Sequence, residues 1–287
     1  MSTTLVLVQT LNGLQLGVLL FLVAAGLTLV FGVMDFINLA HGVQYMLGAY
    51  LAVMFYGYTG NFLFALVLAL GASLAFGLLL EFSVFRHLYD RDHLDQVIAT
   101  FGIILFLNQG VKLLWGASPL NLPMPEALSG SVVLMPGILY PVYRLFMSGV
   151  CVALAIGLYL LISKTRLGMK IRAGAFNRDM TEALGVNIKF IHAIVFAIGV
   201  ALATVAGMIA SPISSVYPNM GSQVLIMCFV VVVIGGIGSV RGALISALLV
   251  GLVDTFGKVL LPQVAGMLVY MLMAAVLLWK PEGLFKQ

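Results

Sequence analysis

MSTTLVLVQTLNGLQLGVLLFLVAAGLTLVFGVM, residues 1–34, contains no Asp, Glu, Lys or Arg. A bilayer span needs roughly 20 predominantly apolar residues, and this run exceeds that. Two further runs, residues 36–80 and 190–240, are equally free of these four residues. Over the whole chain of 287 residues, 62% are hydrophobic and 8% charged. A soluble domain has about 25% charged residues, so most of this surface must face lipid. No polar remainder is long enough for a separate soluble domain, and residues 1–287 are read as one transmembrane domain. The N-terminus lacks the basic region of a cleaved signal, so Met1 onward is expected to stay in the mature chain.

Apolar runs and their breakers predict an all-α, polytopic helical bundle of about nine spans, within a range of eight to ten. They fall near 11–33, 37–57, 62–83, 96–116, 143–163, 190–211, 223–238, 242–261 and 264–279. Lys and Arg favour cytoplasmic loops. An outside N-terminus and a cytoplasmic C-terminus put eleven of the fourteen Lys and Arg inside, leaving Lys112, Arg144 and Lys258. The connection 117–142 holds five of the nine prolines, so it is expected to resist regular helix and form an outer cap or docking surface.

Two breaks interrupt the apolar runs. The first, Phe31–Tyr45 (FGVMDFINLAHGVQY), places Asn38, His41 and Tyr45 at spacings that share one helix face. Polar groups at membrane depth line a cavity or pack against protein, so these residues are candidates for a solute path or for a tight helix crossing. The second, Ser211–Gln223 (SPISSVYPNMGSQ), carries Pro218 and Asn219. The topology puts the first break near the inside and the second near the outside, as an inverted repeat would. No second His, Cys or carboxylate cluster accompanies His41, so a metal site is not supported. Cys151 and Cys228 lie in apolar runs and read as buried small hydrophobes.

The cytoplasmic segment of about 164–189 includes LGMKIRAGAFNRDMTEALGVN (Leu167–Asn187) and reads as a short helix. Asp179 and Glu182 have capping-box spacing, and Gly185 fits the left-handed position that ends a helix. Its basic residues suit anionic lipid, whereas Ala173, Gly174, Ala175 and Ala183 suit close packing on a partner protein. Gly235–Gly242 (GGIGSVRG) lacks the Gly-Lys-Ser/Thr ending of a phosphate loop, and reads as a tight turn with close helix packing. Asp254 and Lys258, four apart, read as an ion pair on one helix face. Nothing here suggests nucleic-acid binding, and no GxSxG, HExxH or Cys-His cluster supports an intramembrane enzyme.

Together and in this order, four segments resemble the permeases of branched-chain amino-acid ABC importers. They are AGLTLVFGVMDFINLAHG with LGAY (Ala25–Gly42 and Leu47–Tyr50), Leu167–Val186, VVVVIGGIGSVRG (Val230–Gly242) and KPEGLF (Lys280–Phe285). The resemblance implies a single permease domain working by alternating access in a bacterial inner membrane. The implied partners are a second, homologous permease in a heterodimer, two cytoplasmic ATPases that carry ATP and Mg, and a periplasmic solute-binding protein. The chain itself is expected to hold no cofactor and to make no covalent bonds. The coupling segment would correspond to Arg172, Ala173, Asn177, Asp179, Glu182, Ala183 and Gly185. The Asn38–Gly42 stretch is similar to the family's pathway motif, although the family often carries Arg or Val near Phe36, where this chain has Met34-Asp35-Phe36. Urea, short amides, carboxylates or sugars are alternative solutes for the same architecture. An ion-coupled secondary transporter and a non-transporting scaffold are alternatives of other classes.

Overall fold

The computed structural model describes residues 3–135 and 138–285. Helices occupy all nine expected positions: α1 (Thr3–Met34), α2 (His41–Thr59), α3 (Phe62–Ser83), α4 (His93–Trp115), α5 (Val142–Lys164), α8 (Ile188–Ala210), α9 (Met220–Gly235), α10 (Val240–Leu260) and α11 (Ala265–Trp279). Between α5 and α8 lie two short helices, α6 (Arg166–Phe176) and α7 (Arg178–Ala183). Among the described residues, six helices (α1, α3, α4, α5, α8 and α10) are long and apolar enough to cross a membrane by length and composition. The others are shorter or less apolar: α9 has 16 residues, α11 has 15 and α2 has 19. The chain is therefore a multi-pass membrane protein.

Burial sorts the helices. In α1 and α8, 72% of the most apolar 18 residues are buried, against 17–28% in α3, α4 and α5. Lipid tails are as apolar as Leu, so close approach of small residues has to hold such helices together. Gly13 and Gly17 of α1 lie against Leu252 and Leu248 of α10, and Gly26 lies against Gly199 of α8. The core is a cluster built on α1, α2, α8 and α9.

Among the described residues the all-α expectation has one exception. The connection 117–142 forms an antiparallel hairpin, β1 (Ser131–Met135) with β2 (Ile138–Pro141). Leu120 also exchanges two backbone hydrogen bonds with Val216 at 2.8 Å, tying this cap to the second break. On the same side of α1 and α5, Arg144 donates to Asn12 Oδ1 at 2.8 Å and Gln15 Oε1 at 3.1 Å. Tyr140 donates to the same Asn12 oxygen at 3.1 Å, and burial raises its hydroxyl pKa.

Several smaller expectations hold. Cys151 and Cys228 are free and buried. Lys258 Nζ meets Asp254 Oδ2 at 2.5 Å, and that carboxylate is buried while the ammonium is exposed. In Gly235–Gly242, Gly236 and Gly238 take φ values of 96° and 83°, so the segment is a turn. Gly235 and Gly242 leave no room for side chains between them. The tail pairs with this turn, because Leu284 and Phe285 donate their amides to the carbonyls of Ile234 and Gly235.

Candidate functional site

The first break does not form a continuous helix. Asp35 takes a left-handed φ of 52°, which Asp tolerates better than most residues, and it ends α1 by donating its amide to Phe31. Residues 36–40 then run without helix. Gln96, buried at the start of α4, accepts from the Ile37 amide at 3.0 Å and donates to the carbonyls of Leu88 and Arg91. Phe36 packs on Phe85 and Tyr89. Burial, and then the adjacent Glu81 carboxylate that accepts its hydrogen bond, raise the Tyr89 pKa.

Asn38 therefore lies before α2, not on it, which corrects the shared-face reading. Only His41 and Tyr45 stand on the helix, one turn apart. All three are buried. The His41 ring lies 3.0 Å from the Val23 carbonyl, through Nε2. Val23 lies 11 residues inside the end of α1 at Met34, about 16 Å at 1.5 Å per residue. So α2 begins against the middle of α1.

The second break arrives at the same level. Asn219 takes a φ of 70° and starts α9, and its amide donates to Asn108 Oδ1, well inside α4. Gly42 and Gly221, in the first turns of α2 and α9, touch backbone to backbone, and a Cβ on either would overlap the other's carbonyl. The two breaks enter from opposite ends, the first where Gly32 lies against Gly238 and the second where Val216 pairs with Leu120, yet the helices they start meet. Broken segments entering from opposite ends can meet inside a bundle although their helices start far apart along the chain.

Neither meeting N-terminus has a side-chain cap: Ala40 precedes α2, and Asn219 makes no cap bond to α9. By contrast Asn61, Thr165, Asn177, Asn187 and Ser239 cap α3, α6, α7, α8 and α10. Among their first amides, those of His41 and Val43 donate to the carbonyls of Asn38 and Ala40, and those of Met220 and Ser222 to the carbonyls of Tyr217 and Asn219. What the two uncapped ends share is therefore the positive end of the helix dipole. Asn219 and Gln223 are exposed beside them, Pro218 is half-buried, and Tyr217 donates to Gln223 Oε1 at 2.6 Å. Asn108, Tyr217 and Gln223 escaped the sequence reading. A lone Asn inside the apolar run of α4 was the available signal for the first.

The coupling candidates also needed a local correction. Asp179 does not cap the helix. Asn177 does, because its extended backbone (φ −154°, ψ 107°) lets Oδ1 accept from the Met180 amide at 2.9 Å. The same residue closes α6 by donating its own amide to Ala173. Asp179 instead lies in the first turn of α7, where a carboxylate suits the dipole. Gly185 has the expected positive φ, 82°. The segment is an elbow of two helices, and Arg172, Ala173, Asn177, Asp179, Glu182, Ala183 and Gly185 are all exposed on it. Beside them stand Phe176 at 94%, Leu184 at 79% and Met180 at 62% exposure. These apolar groups lie outside the long apolar helices.

A bundle of apolar helices with two short ones starting nose to nose, and a capped elbow at one end, defines a polytopic transport permease. The family described as "Branched-chain amino acid transport system / permease component" matches residues 9–277, and the chain belongs to it. The chain is 33% identical to the high-affinity branched-chain amino acid transport system permease protein BraD of Pseudomonas aeruginosa, over 96% of this chain and 94% of that protein. It is 30% identical to the corresponding protein LivH of Escherichia coli K12, with the same coverage. Among solved structures, PsaBC from Streptococcus pneumoniae in complex with Fab shares the fold, with a TM-score of 0.52 and 14% identity over 93% of this chain and 89% of that one.

Proposed function

We propose that this chain is the permease subunit of an ATP-binding-cassette importer that moves branched-chain amino acids into the cytoplasm by alternating access. Family membership over residues 9–277 carries this reading. In it, residues 1–287 form one permease domain of nine passages in the bacterial inner membrane, with the N-terminus outside and the C-terminus cytoplasmic. The clustering of Lys and Arg on the loops of one side supports that orientation. The partners are a second, homologous permease, two ATPases that hold ATP and Mg, and a solute-binding protein outside. The chain binds no cofactor of its own.

The junction of α2 and α9 supports a pathway. A zwitterionic amino acid carries a carboxylate, and two uncapped N-termini attract it without a fixed countercharge that would trap it. Asn219, with Pro218 beside it, stands on the accessible side, while Asn38, His41 and Tyr45 shape the wall behind. The elbow supports coupling: Phe176, Met180 and Leu184 are the apolar contacts that an ATPase groove would cover, framed by Asn177, Asp179, Glu182, Ala183 and Gly185. Exposed apolar clusters mark protein interfaces. ATP state shifts the inward–outward equilibrium only through differential binding at that surface.

The test is co-expression of the chain with its neighbouring ATPases, second permease and binding protein, followed by leucine uptake into proteoliposomes. ATP-dependent uptake that requires the binding protein is the expected result. Uptake of urea, amides or sugars with no leucine transport would overturn the solute class. Uptake by the chain alone on an ion gradient would overturn the importer.

A further inference from the structure

At the end of the bundle that carries the elbow, a cleft of ≈ 940 Å³ opens between α1, α5, α6 and the turn before α10. That volume is in the range of small-molecule sites, about 300–1,000 Å³. Its chemistry is divided. Arg172 and Arg241 line it, and no Asp or Glu does. Arg172 donates to the Ile162 carbonyl, a neutral acceptor. Arg241 is exposed, and no hydrogen bond or ion pair to it is found among the described residues. It also sits in the first turn of α10, where a cation opposes the helix dipole. Both features are relieved by an anion.

Other parts of the wall are apolar, formed by Leu29, Val33, Leu158 and Val240. Thr28 belongs to the wall too, and its hydroxyl is buried with no hydrogen-bond partner. It lies six residues inside the end of α1, about 9 Å at 1.5 Å per residue. A buried hydroxyl without a partner costs about 1–3 kcal/mol, so its presence calls for a ligand oxygen.

We propose that this cleft binds an anionic phospholipid, with its phosphate between Arg172 and Arg241, a glycerol-ester oxygen at Thr28 and its first methylenes against the apolar wall. Free phosphate would answer the two arginines only. Basic pockets between membrane helices are the usual seats of anionic headgroups. The cleft adjoins the exposed face of the elbow at Phe176, which lines it beside Arg172, while Met180 and Leu184 stand exposed outside it. It would fix the angle between the elbow and α1, and so make coupling depend on lipid charge.

The test is native mass spectrometry of the full chain purified from membranes, with exchange against phosphatidylglycerol or phosphatidylcholine. Preferential retention of phosphatidylglycerol is expected. Arg241→Gln should lower that preference about fivefold, the effect of roughly one headgroup–cation interaction. Thr28→Val should lower retention about fivefold through one lost hydrogen bond, while raising the unfolding temperature of the delipidated chain, in which that hydroxyl has no partner. Equal retention of the two lipids, or unchanged retention in Arg241→Gln, overturns the proposal. If inorganic phosphate displaces the bound anion and Thr28→Val has no effect, the site takes a soluble anion and the lipid assignment fails. If a co-purified subunit protects the cleft and retention is independent of lipid, the cleft is a protein interface and the assignment also fails.

Discussion

The junction of α2 with α9 and the elbow of α6 with α7 solve opposite problems. At the junction, backbone meets backbone through Gly42 and Gly221, the neighbouring His41 is buried on a carbonyl of α1, and little can change without moving two helices. At the elbow almost every candidate side chain is exposed, and the shape is held from within the loop by Thr165, Asn177 and Asn187, each capping the helix that follows it. One region is specified by space and the other by local hydrogen bonds. On the proposed reading, packed backbone positions the two helix starts at the pathway, whereas the elbow presents an intact surface to a partner. The same kinds of substitution should therefore fail differently in the two places.

Gly42→Val should produce the largest effect. Its side chain would collide with the Gly221 carbonyl, which cannot rotate away, and overpacking of this kind typically costs about 1–3 kcal/mol or more. Loss of monodisperse protein on size-exclusion chromatography is expected; well-folded, transporting protein would dissolve the contrast. Next, the double change Met180→Asp with Leu184→Asp should leave the chain folded but cut solute-stimulated ATP hydrolysis by roughly tenfold or more, since one or two apolar anchors supply about 1.5–3 kcal/mol each. Normal stimulation would show that the partner docks elsewhere.

Asn219 offers a sharper probe. Asn219→Gly keeps the left-handed backbone and should preserve expression while reducing transport, whereas Asn219→Val places a β-branched residue at positive φ and should reduce expression as well. Equal transport by Asn219→Gly and the parent would remove this side chain from the pathway. Asn177→Ala should cost about 1 kcal/mol through the lost cap, with recovery in Asn177→Ser. Limited proteolysis within the elbow would read that change. Smallest of all, Gly149→Ala on α5 meets nothing within 4 Å, and its better helix propensity should leave the unfolding temperature unchanged or slightly higher.

Much of this was legible in the chain itself. The nine helix positions came from apolar runs about as long as a bilayer is thick, because a helix in lipid must satisfy its own backbone and can do so only in unbroken apolar stretches. The ends of α3 and α10 agreed within two residues, and the turn at Gly235–Gly242 and the pair Asp254–Lys258 were local enough to read. The cap of α7 was local too, yet misassigned. Asp179 and Asn177 are both good cap residues, and choosing between them requires the backbone angles at Asn177. The hairpin β1–β2 was masked by a proline-rich composition that reads only as non-helical.

Sequence alone determined that the chain lives in a membrane, where its helices lie, and that the segment near 164–189 is a polar, locally capped loop, since each follows from composition or from neighbours a few residues apart. Only the tertiary structure decided that residues 42 and 221 touch, that Asn108 holds the start of α9, and that two arginines 69 positions apart share one cleft. Such contacts depend on how helices enter the bundle and cross. Apolar periodicity is nearly silent about that when lipid and core are equally apolar.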